Sequence, residues 1–199
     1  MIATFRRMLC DEGGANIVEF ALLSVPLLGM ILGFGDLAYQ TYVKANLQAS
    51  LNDIARTAVV EDPRIGGTGT IEDRIQAAIK DRMKSLVSNG TYTFDIQNFK
   101  NFSAIDRPES LITDKNKNGQ YDAGDCWEDS NPNGRFDTSA GRAGLGGAED
   151  VVVYNVGLSA PHLFPVLGFV TSNPKYSVSA SALVRTQPYA NQRQPDVVC

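Results

Sequence analysis

Residues 20–35 read FALLSVPLLGMILGFG, a run of sixteen uncharged residues between Glu19 and Asp36. As a helix this run is about 24 Å long, and apolar neighbours on both sides extend it toward the thickness of a hydrocarbon core. Arg6 and Arg7 precede the run, so the positive-inside bias places the N-terminus in the cytoplasm and the residues after Asp36 outside. We therefore expect a transmembrane helix over residues 15–39.

A secretory signal peptide is the alternative interpretation of this charged and then apolar segment. Its cleavage site would need a small-x-small triplet after the apolar run. The best candidate ends at Ala38 and puts the charged Asp36 where a small residue is needed. Small residues stand before the run instead, at Gly13 and Gly14, so the sequence favours a retained membrane helix.

Beyond the membrane run, the pattern predicts an α+β domain over residues 40–186. Apolar residues recur every three or four positions from Val43 to Val59, which predicts that the first helix continues outward as an amphipathic stalk. Thr70 and Asp73 form a capping-box pattern before a second helix, which we expect to end near Asn89-Gly90.

Three later segments have the apolar patterns of strands. Residues 91–97 and 176–184 alternate in polarity, and residues 151–158 are almost continuously apolar. Helices followed by strands predict a small antiparallel sheet packed on the stalk, with a long loop insertion. The tail at residues 187–199 has no regular pattern, and we expect it to be irregular.

The loop between the strands predicted at residues 91–97 and 151–158 is about fifty residues long, which is too long for a plain connection in a compact domain. From Asp114 to Asp125 it places oxygen-bearing side chains at positions 1, 3, 5, 9 and 12, with Gly119 at position 6. This is the spacing of a twelve-residue calcium loop. Residues 129–137 repeat the first nine positions, so we expect calcium as a cofactor, bound by loops within residues 114–140.

The expected ligands follow from the loop positions. In the first loop they are Asp114, Asn116, Asn118, Gln120, Asp122 and Asp125, and in the second Asp129, Asn131, Asn133, Arg135 and Asp137, with Gln120 and Arg135 standing at the backbone-carbonyl position.

Both loops depart from the pattern of a calcium-sensor hand. Asp125 ends the first loop where a longer glutamate is usual, and Ala140 stands at position 12 of the second. The second loop must therefore borrow a ligand, for which the candidates are Glu128, Asp106, Glu149 and Asp150. Without strong flanking helices, the pair resembles the calcium repeats of thrombospondin or dockerin. A solvated loop is the alternative, because Asp, Asn and Gly favour turns without metal.

The three cysteines are Cys10, Cys126 and Cys199. If a membrane separates the first from the other two, Cys126 and Cys199 share an oxidising compartment and form the natural disulfide pair. Three unrelated thiols are the alternative.

Composition and motifs argue against two classes of function. The net charge of −4, without a basic stripe, argues against a nucleic-acid partner. The sequence shows no catalytic cluster of acid, base and nucleophile, so we do not expect an enzyme. The sole histidine, His162, has no acid or thiol neighbour in sequence and is expected to be structural.

The start of the chain resembles a known family. Residues 14–20, Gly-Ala-Asn-Ile-Val-Glu-Phe, are similar to the processing site of type IV pilins of the Flp/Tad class, and the run to Leu28 resembles TadE-like pilus assembly proteins or minor pseudopilins. The resemblance covers residues 1–45 well. Residues 179–189 also resemble the closing strand of that family, with Gln187 where an acidic residue is usual.

The resemblance implies cleavage by a prepilin peptidase between Gly14 and Ala15, with residues 1–14 as a cytoplasmic leader. It assigns Glu19 and Phe20 to assembly, with the Glu19 carboxylate pairing with the new N-terminal amine of a neighbouring subunit. An unpaired carboxylate is costly in lipid, and a position of Glu19 among the headgroups is the alternative.

The resemblance also implies partners and a location. The partners are other pilin subunits, the inner-membrane assembly machinery and the peptidase; the location is the bacterial inner membrane with a periplasmic domain, or an extracellular pilus. The expected function is that of a minor pilin or pseudopilin of a Tad-type pilus with a calcium-stabilised outer loop. A signal-anchored calcium-binding adhesin or binding module that never enters a filament is the alternative.

Overall fold

The computed structural model describes residues 13–60, 63–164 and 172–199, with side chains from residue 17 onward. Within them the elements in chain order are helices α1 (Gly13–Ala58) and α2 (Ile71–Met83), strand β1 (Thr91–Phe99), a 3-10 turn (Phe102–Ala104), and strands β2 (Leu111–Thr113), β3 (Cys126–Asp129), β4 (Arg142–Ala143), β5 (Val151–Pro161), β6 (Lys175–Arg185) and β7 (Asp196–Val198). The α+β class expected from the sequence is confirmed. Residues 1–12 of the expected leader lie outside the described residues.

The first half of α1 exposes its apolar side chains. Phe20 is 73% exposed, and many others in the run are more than half exposed. Pro26 lies inside the helix without ending it, as membrane helices tolerate. The helix is long and apolar enough to be a membrane anchor or a signal sequence.

The second half of α1 carries the buried face of the folded unit. Val43, Leu47 and Leu51 are fully buried, and Ile54 and Ala58 nearly so. These are the positions that the helical periodicity predicted, and burying each such aliphatic side chain stabilises the fold by about 1.5–3 kcal/mol.

Helix α2 begins at the predicted capping box. The Thr70 hydroxyl accepts from the backbone N–H of Asp73, and an Asp73 carboxylate oxygen accepts from the N–H of Thr70. These bonds satisfy backbone donors that the first helical turn leaves free. The helix ends at Met83, earlier than expected, and turns occupy the residues before Asn89.

Two sheets complete the fold. One has the strand order β4-β1-β5-β6, with β1 antiparallel to both β4 and β5. The other has the order β2-β3-β7, with β3 antiparallel to both neighbours. The expectation of an irregular tail is therefore wrong at Asp196–Val198, because this segment pairs with β3.

The chain divides into two compact units. One comprises residues 1–42 and 161–176, and the other residues 43–160 and 177–199. The calcium-loop candidates, both sheets' short strands and helix α2 all belong to the second unit.

Candidate metal centre

The first position of each predicted calcium loop organises its own turn. In the first loop, the Asp114 carboxylate accepts from the N–H groups of Lys117 (2.6 Å) and Gly119 (2.7 Å). In the second, Asp129 accepts from the N–H groups of Asn133 (3.2 Å) and Gly134 (2.7 Å). The bond from the sixth-position N–H is therefore common to both loops, whereas the other bond comes from position 4 in the first loop and from position 5 in the second, where Pro132 at position 4 has no N–H to donate.

The sixth position of each loop is a glycine for a conformational reason. Gly119 has φ +75° and Gly134 has φ +71°, in the left-handed region that other residues adopt at a cost. A Cβ at either glycine would meet nothing within 4 Å. The backbone angle, not crowding, therefore selects glycine here.

The third, fifth and ninth positions converge in both loops. Asn116 and Asn118 each place an amide nitrogen 2.7 Å from Asp122 Oδ2. The repeat is the same, with the amide nitrogens of Asn131 and Asn133 both 2.6 Å from Asp137 Oδ2. The structure thus brings together the side chains that the spacing pairs.

The seventh positions adopt matching backbone contacts. The N–H of Gln120 donates to Asn118 Oδ1 and the N–H of Arg135 donates to Asn133 Oδ1, each at 2.7 Å. Each fifth-position side chain therefore fixes the peptide that leads to the seventh-position carbonyl.

An aromatic cluster joins the two loops through their eighth positions. The rings of Tyr121 and Phe136 stack with centroids 4.5 Å apart. Trp127, which lies on β3 between the loops, packs edge-on against both rings. The loops therefore form one packed pair, and a change of conformation in either would reach the indole of Trp127.

The twelfth position of the first loop is held by backbone donors. The Asp125 carboxylate accepts from the N–H groups of Lys115 (3.0 Å) and Asp122 (2.9 Å), and these bonds hold the pKa of Asp125 below its ordinary value. Asp125 also donates its own N–H to the Asp122 carbonyl at 3.0 Å. This carboxylate is ionised and fixed at neutral pH, as a metal ligand must be.

The four candidates expected to complete the second loop either have other partners or are exposed. Glu128 forms a salt bridge with Lys100, and Glu149 forms one with Arg185. The Asp150 carboxylate accepts from Gly147 and Gln192. Asp106 is exposed.

A different carboxylate, Glu109, lies against the second loop. It is 2% exposed and accepts from the N–H groups of Ser130 (2.7 Å) and Asp137 (3.0 Å). Burial raises the pKa of Glu109, and the nearby Asp129 and Asp137 carboxylates raise it further, against the effect of the two hydrogen bonds. Sequence reasoning missed this residue because it lies outside the loop and precedes β2.

The described residues contain no group of three or more His, Cys, Asp or Glu side chains gathered as a metal-binding cluster. Each loop instead combines carboxylates with asparagine amides and peptide carbonyls, all of which are oxygen donors suited to Ca²⁺. The donor chemistry therefore fits a hard cation and offers neither sulfur nor imidazole to a softer one.

A disulfide between Cys126 and Cys199 adjoins this region. Cys126 opens β3, and Cys199 follows β7, which pairs with β3. The bond therefore fastens the C-terminal tail to the strand that separates the two loops.

The first unit contains a buried polar cluster that the sequence did not reveal. Asp36 is fully buried, with one oxygen 2.5 Å from His162 Nδ1 and 2.8 Å from Gln40 Nε2. Its other oxygen accepts from the N–H groups of Leu163 and Phe164. The expectation that His162 lacks an acidic partner is therefore wrong, since the two residues are 126 positions apart in sequence.

This cluster has a structural role that its contacts explain. Asp36 ends the apolar run and holds the backbone after Pro161 against the helix. A Cβ at Gly35 would lie 3.5 Å from the Phe164 ring, which is an ordinary van der Waals distance, so the ring packs closely on this part of the helix without requiring glycine.

Glu19 and Phe20 both lie in α1 with exposed side chains, and Gly14 and Ala15 lie in its first turns. The chain matches no family model, no curated protein and no solved structure.

Proposed function

We propose that this protein is a membrane-anchored minor pilin or pseudopilin of a Tad-type pilus. The proposal rests on the exposed apolar half of α1, which directly follows the Gly14 to Phe20 segment. A surface of this size and apolarity is rarely left uncovered by a water-soluble protein. Lipid, or neighbouring helices of the same kind, would cover it.

Ser24, the polar residue inside the apolar run, is consistent with an apolar environment. Its hydroxyl donates to the Ala21 carbonyl at 3.0 Å and is therefore satisfied within the helix, as a membrane requires. The carboxylate of Glu19 remains exposed on the helix surface, where a neighbouring subunit's amine could pair with it.

The processing step tests the proposal directly. The full-length protein is expressed with and without a prepilin peptidase, and its N-terminus is sequenced. We expect a mature chain that begins at Ala15 only with the peptidase. Gly14→Val should block cleavage, whereas the matched Gly13→Val should permit it.

Other outcomes identify other functions. A mature start after Ala38 would show that the helix is a cleaved signal peptide and refute the proposal. An uncut protein that stays in the membrane and is absent from sheared filaments would favour the signal-anchored surface module.

The second part of the proposal is that the paired loops bind Ca²⁺ and order the outer region. The observation that supports it is the duplicated convergence of positions 3, 5 and 9, linked by the aromatic stack. Titration calorimetry of the full chain in detergent micelles should detect calcium binding in the weak range, on the order of 10⁻⁴–10⁻³ M. Absence of heat up to 10⁻² M, on the order of ten times that range, would refute this part and leave the filament part untouched.

A further inference from the structure

The second calcium loop lacks an oxygen donor at its own twelfth position. Ala140 stands there, and it is a buried apolar residue. In the first loop the twelfth position is Asp125, which makes three hydrogen bonds to other residues of that loop. These bonds can be compared with the contacts of a candidate for the second loop.

Each of these three bonds is found again at Glu109. A carboxylate oxygen accepts from the position-2 N–H, which belongs to Lys115 for Asp125 and to Ser130 for Glu109. The other oxygen accepts from the position-9 N–H, which belongs to Asp122 and Asp137 respectively.

The third bond runs through the backbone in the opposite direction. Asp125 donates its N–H to the carbonyl of Asp122 at 3.0 Å, and Glu109 donates its N–H to the carbonyl of Asp137, also at 3.0 Å. Glu109 therefore makes the same two hydrogen bonds to the backbone of the ninth residue of the second loop that Asp125 makes to the ninth residue of the first.

The position of β2 explains how a residue from outside the loop reaches this place. Glu109 stands two residues before β2 (Leu111–Thr113), and β2 pairs with β3, which leads into the second loop. The N–H of Glu128 donates to the carbonyl of Ser110 at 2.9 Å and extends this pairing toward Glu109. The pairing of β2 with β3 therefore places the Glu109 carboxylate beside the second loop.

Two further observations favour cation binding at the second loop. Asn131 Oδ1, at the third position of this loop, is buried without a hydrogen-bond partner among the described residues. Glu109, Asp129 and Asp137 form no salt bridge with any described residue, although Glu109 is buried. Buried carboxylates without a cation are costly, and a bound metal would compensate them.

We propose that Glu109 is the twelfth-position calcium ligand of the second loop, supplied from the segment that leads into β2. This inference rests on the proposed calcium function. Each loop then offers three carboxylates: Asp114, Asp122 and Asp125 in the first, and Glu109, Asp129 and Asp137 in the second.

The test isolates each loop in the full chain in detergent micelles, with CaCl₂ as the probe and calorimetry as the readout. Asp114→Ala removes the first ligand of the first loop, so calcium binding to this variant reports on the second loop. Asp129→Ala does the same for the second loop, so its calcium binding reports on the first. In the second-loop background, Glu109→Gln should weaken calcium binding by at least about tenfold. In the first-loop background the same change should leave affinity unaltered.

Glu128→Gln is the matched control, since Glu128 lies nearby on β3 but pairs with Lys100. It should not change the affinity of the second loop. Equal affinity of the second loop with and without Glu109→Gln would overturn the assignment. A wild-type chain that takes up no calcium would refute the calcium function itself, which is a distinct result.

A measurement on the unmutated protein keeps the test valid if Glu109→Gln does not fold. The side-chain carboxyl carbon of Glu109 is followed by ¹³C NMR during a calcium titration of the wild-type chain. Its resonance should shift as the second loop fills. A resonance that stays in place while the amides of Ser130 and Asp137 shift would overturn the proposal.

Discussion

Calcium should raise the thermal stability of the second unit, and the size of the effect can be worked out. Each loop combines three carboxylates with amide and peptide oxygens, which places its affinity in the weak range of extracellular modules. At a calcium concentration of about one hundred times Kd, one site stabilises the native state by about 2.7 kcal/mol. For a chain of this size that corresponds to a rise in Tm of roughly 5–11 °C.

The perturbation is the double variant Asp114→Ala with Asp129→Ala. Both carboxylates also close turns without metal, through hydrogen bonds from Lys117, Gly119, Asn133 and Gly134. The variant should therefore lose some stability even in chelator, by about 1 kcal/mol for each bond that water does not replace. The calcium effect is the further change in Tm on adding metal, and this should disappear in the variant.

The assay is a thermal melt of the full chain in detergent micelles, followed by the fluorescence of Trp127, which packs on both loops through Tyr121 and Phe136. Asp53→Ala is the control, since Asp53 pairs with Arg82 at an exposed site, and it should keep the full calcium response. A wild-type melt that does not respond to calcium at about one hundred times the expected Kd, with loops equally resistant to protease in chelator, would show that the Asp/Asn/Gly pattern only forms turns.

Three further predictions concern other parts of the chain. Glu19→Ala should leave insertion into the membrane intact, as judged by carbonate extraction, but reduce the amount of protein in sheared filaments; normal assembly would support a headgroup position for Glu19. Replacing Cys126 and Cys199 by alanine removes a covalent link between residues 73 positions apart. This should lower the free energy of unfolding, measured in urea, by about 4 kcal/mol. An unchanged unfolding midpoint would contradict the prediction. Hydrogen bonds from Thr70 hold the pKa of Asp73 below its ordinary value, so the cap contributes stability above the ordinary pKa of an aspartate and loses this effect as pH falls through the lowered pKa. Asp73→Asn should reduce the pH dependence of urea unfolding in the acid range, below about pH 4, and identical profiles would argue against the cap.

The parts of the fold that the sequence predicts are those with local repeating patterns. The stalk positions Val43, Leu47 and Leu51 recur at helical spacing and are all buried. Strands β1, β5 and β6 are long enough for alternation or continuous apolarity to be visible, so their locations agree with the prediction. The capping box of α2 is also a local pattern and is found in the structure.

The parts that the sequence does not predict depend on distant partners. Strands β2, β4 and β7 have three residues or fewer, which is too short for a periodic signal, and they exist only because they pair with other strands. Glu109 reaches its loop through the register of β2 with β3. Asp36 and His162 are likewise joined by the fold and share no motif.

The bond between Cys126 and Cys199 also determines how the domain would carry a mechanical load. A pull between helix α1 and Cys199 passes from Cys126 directly across the sulfurs, so the chain between them is not under tension. Strands β4, β5 and β6 all lie inside this bypassed segment, whereas β1 lies on the loaded path. The nine register pairs that hold β1 to β5 would therefore join the loaded path to a part of the chain that bears no tension.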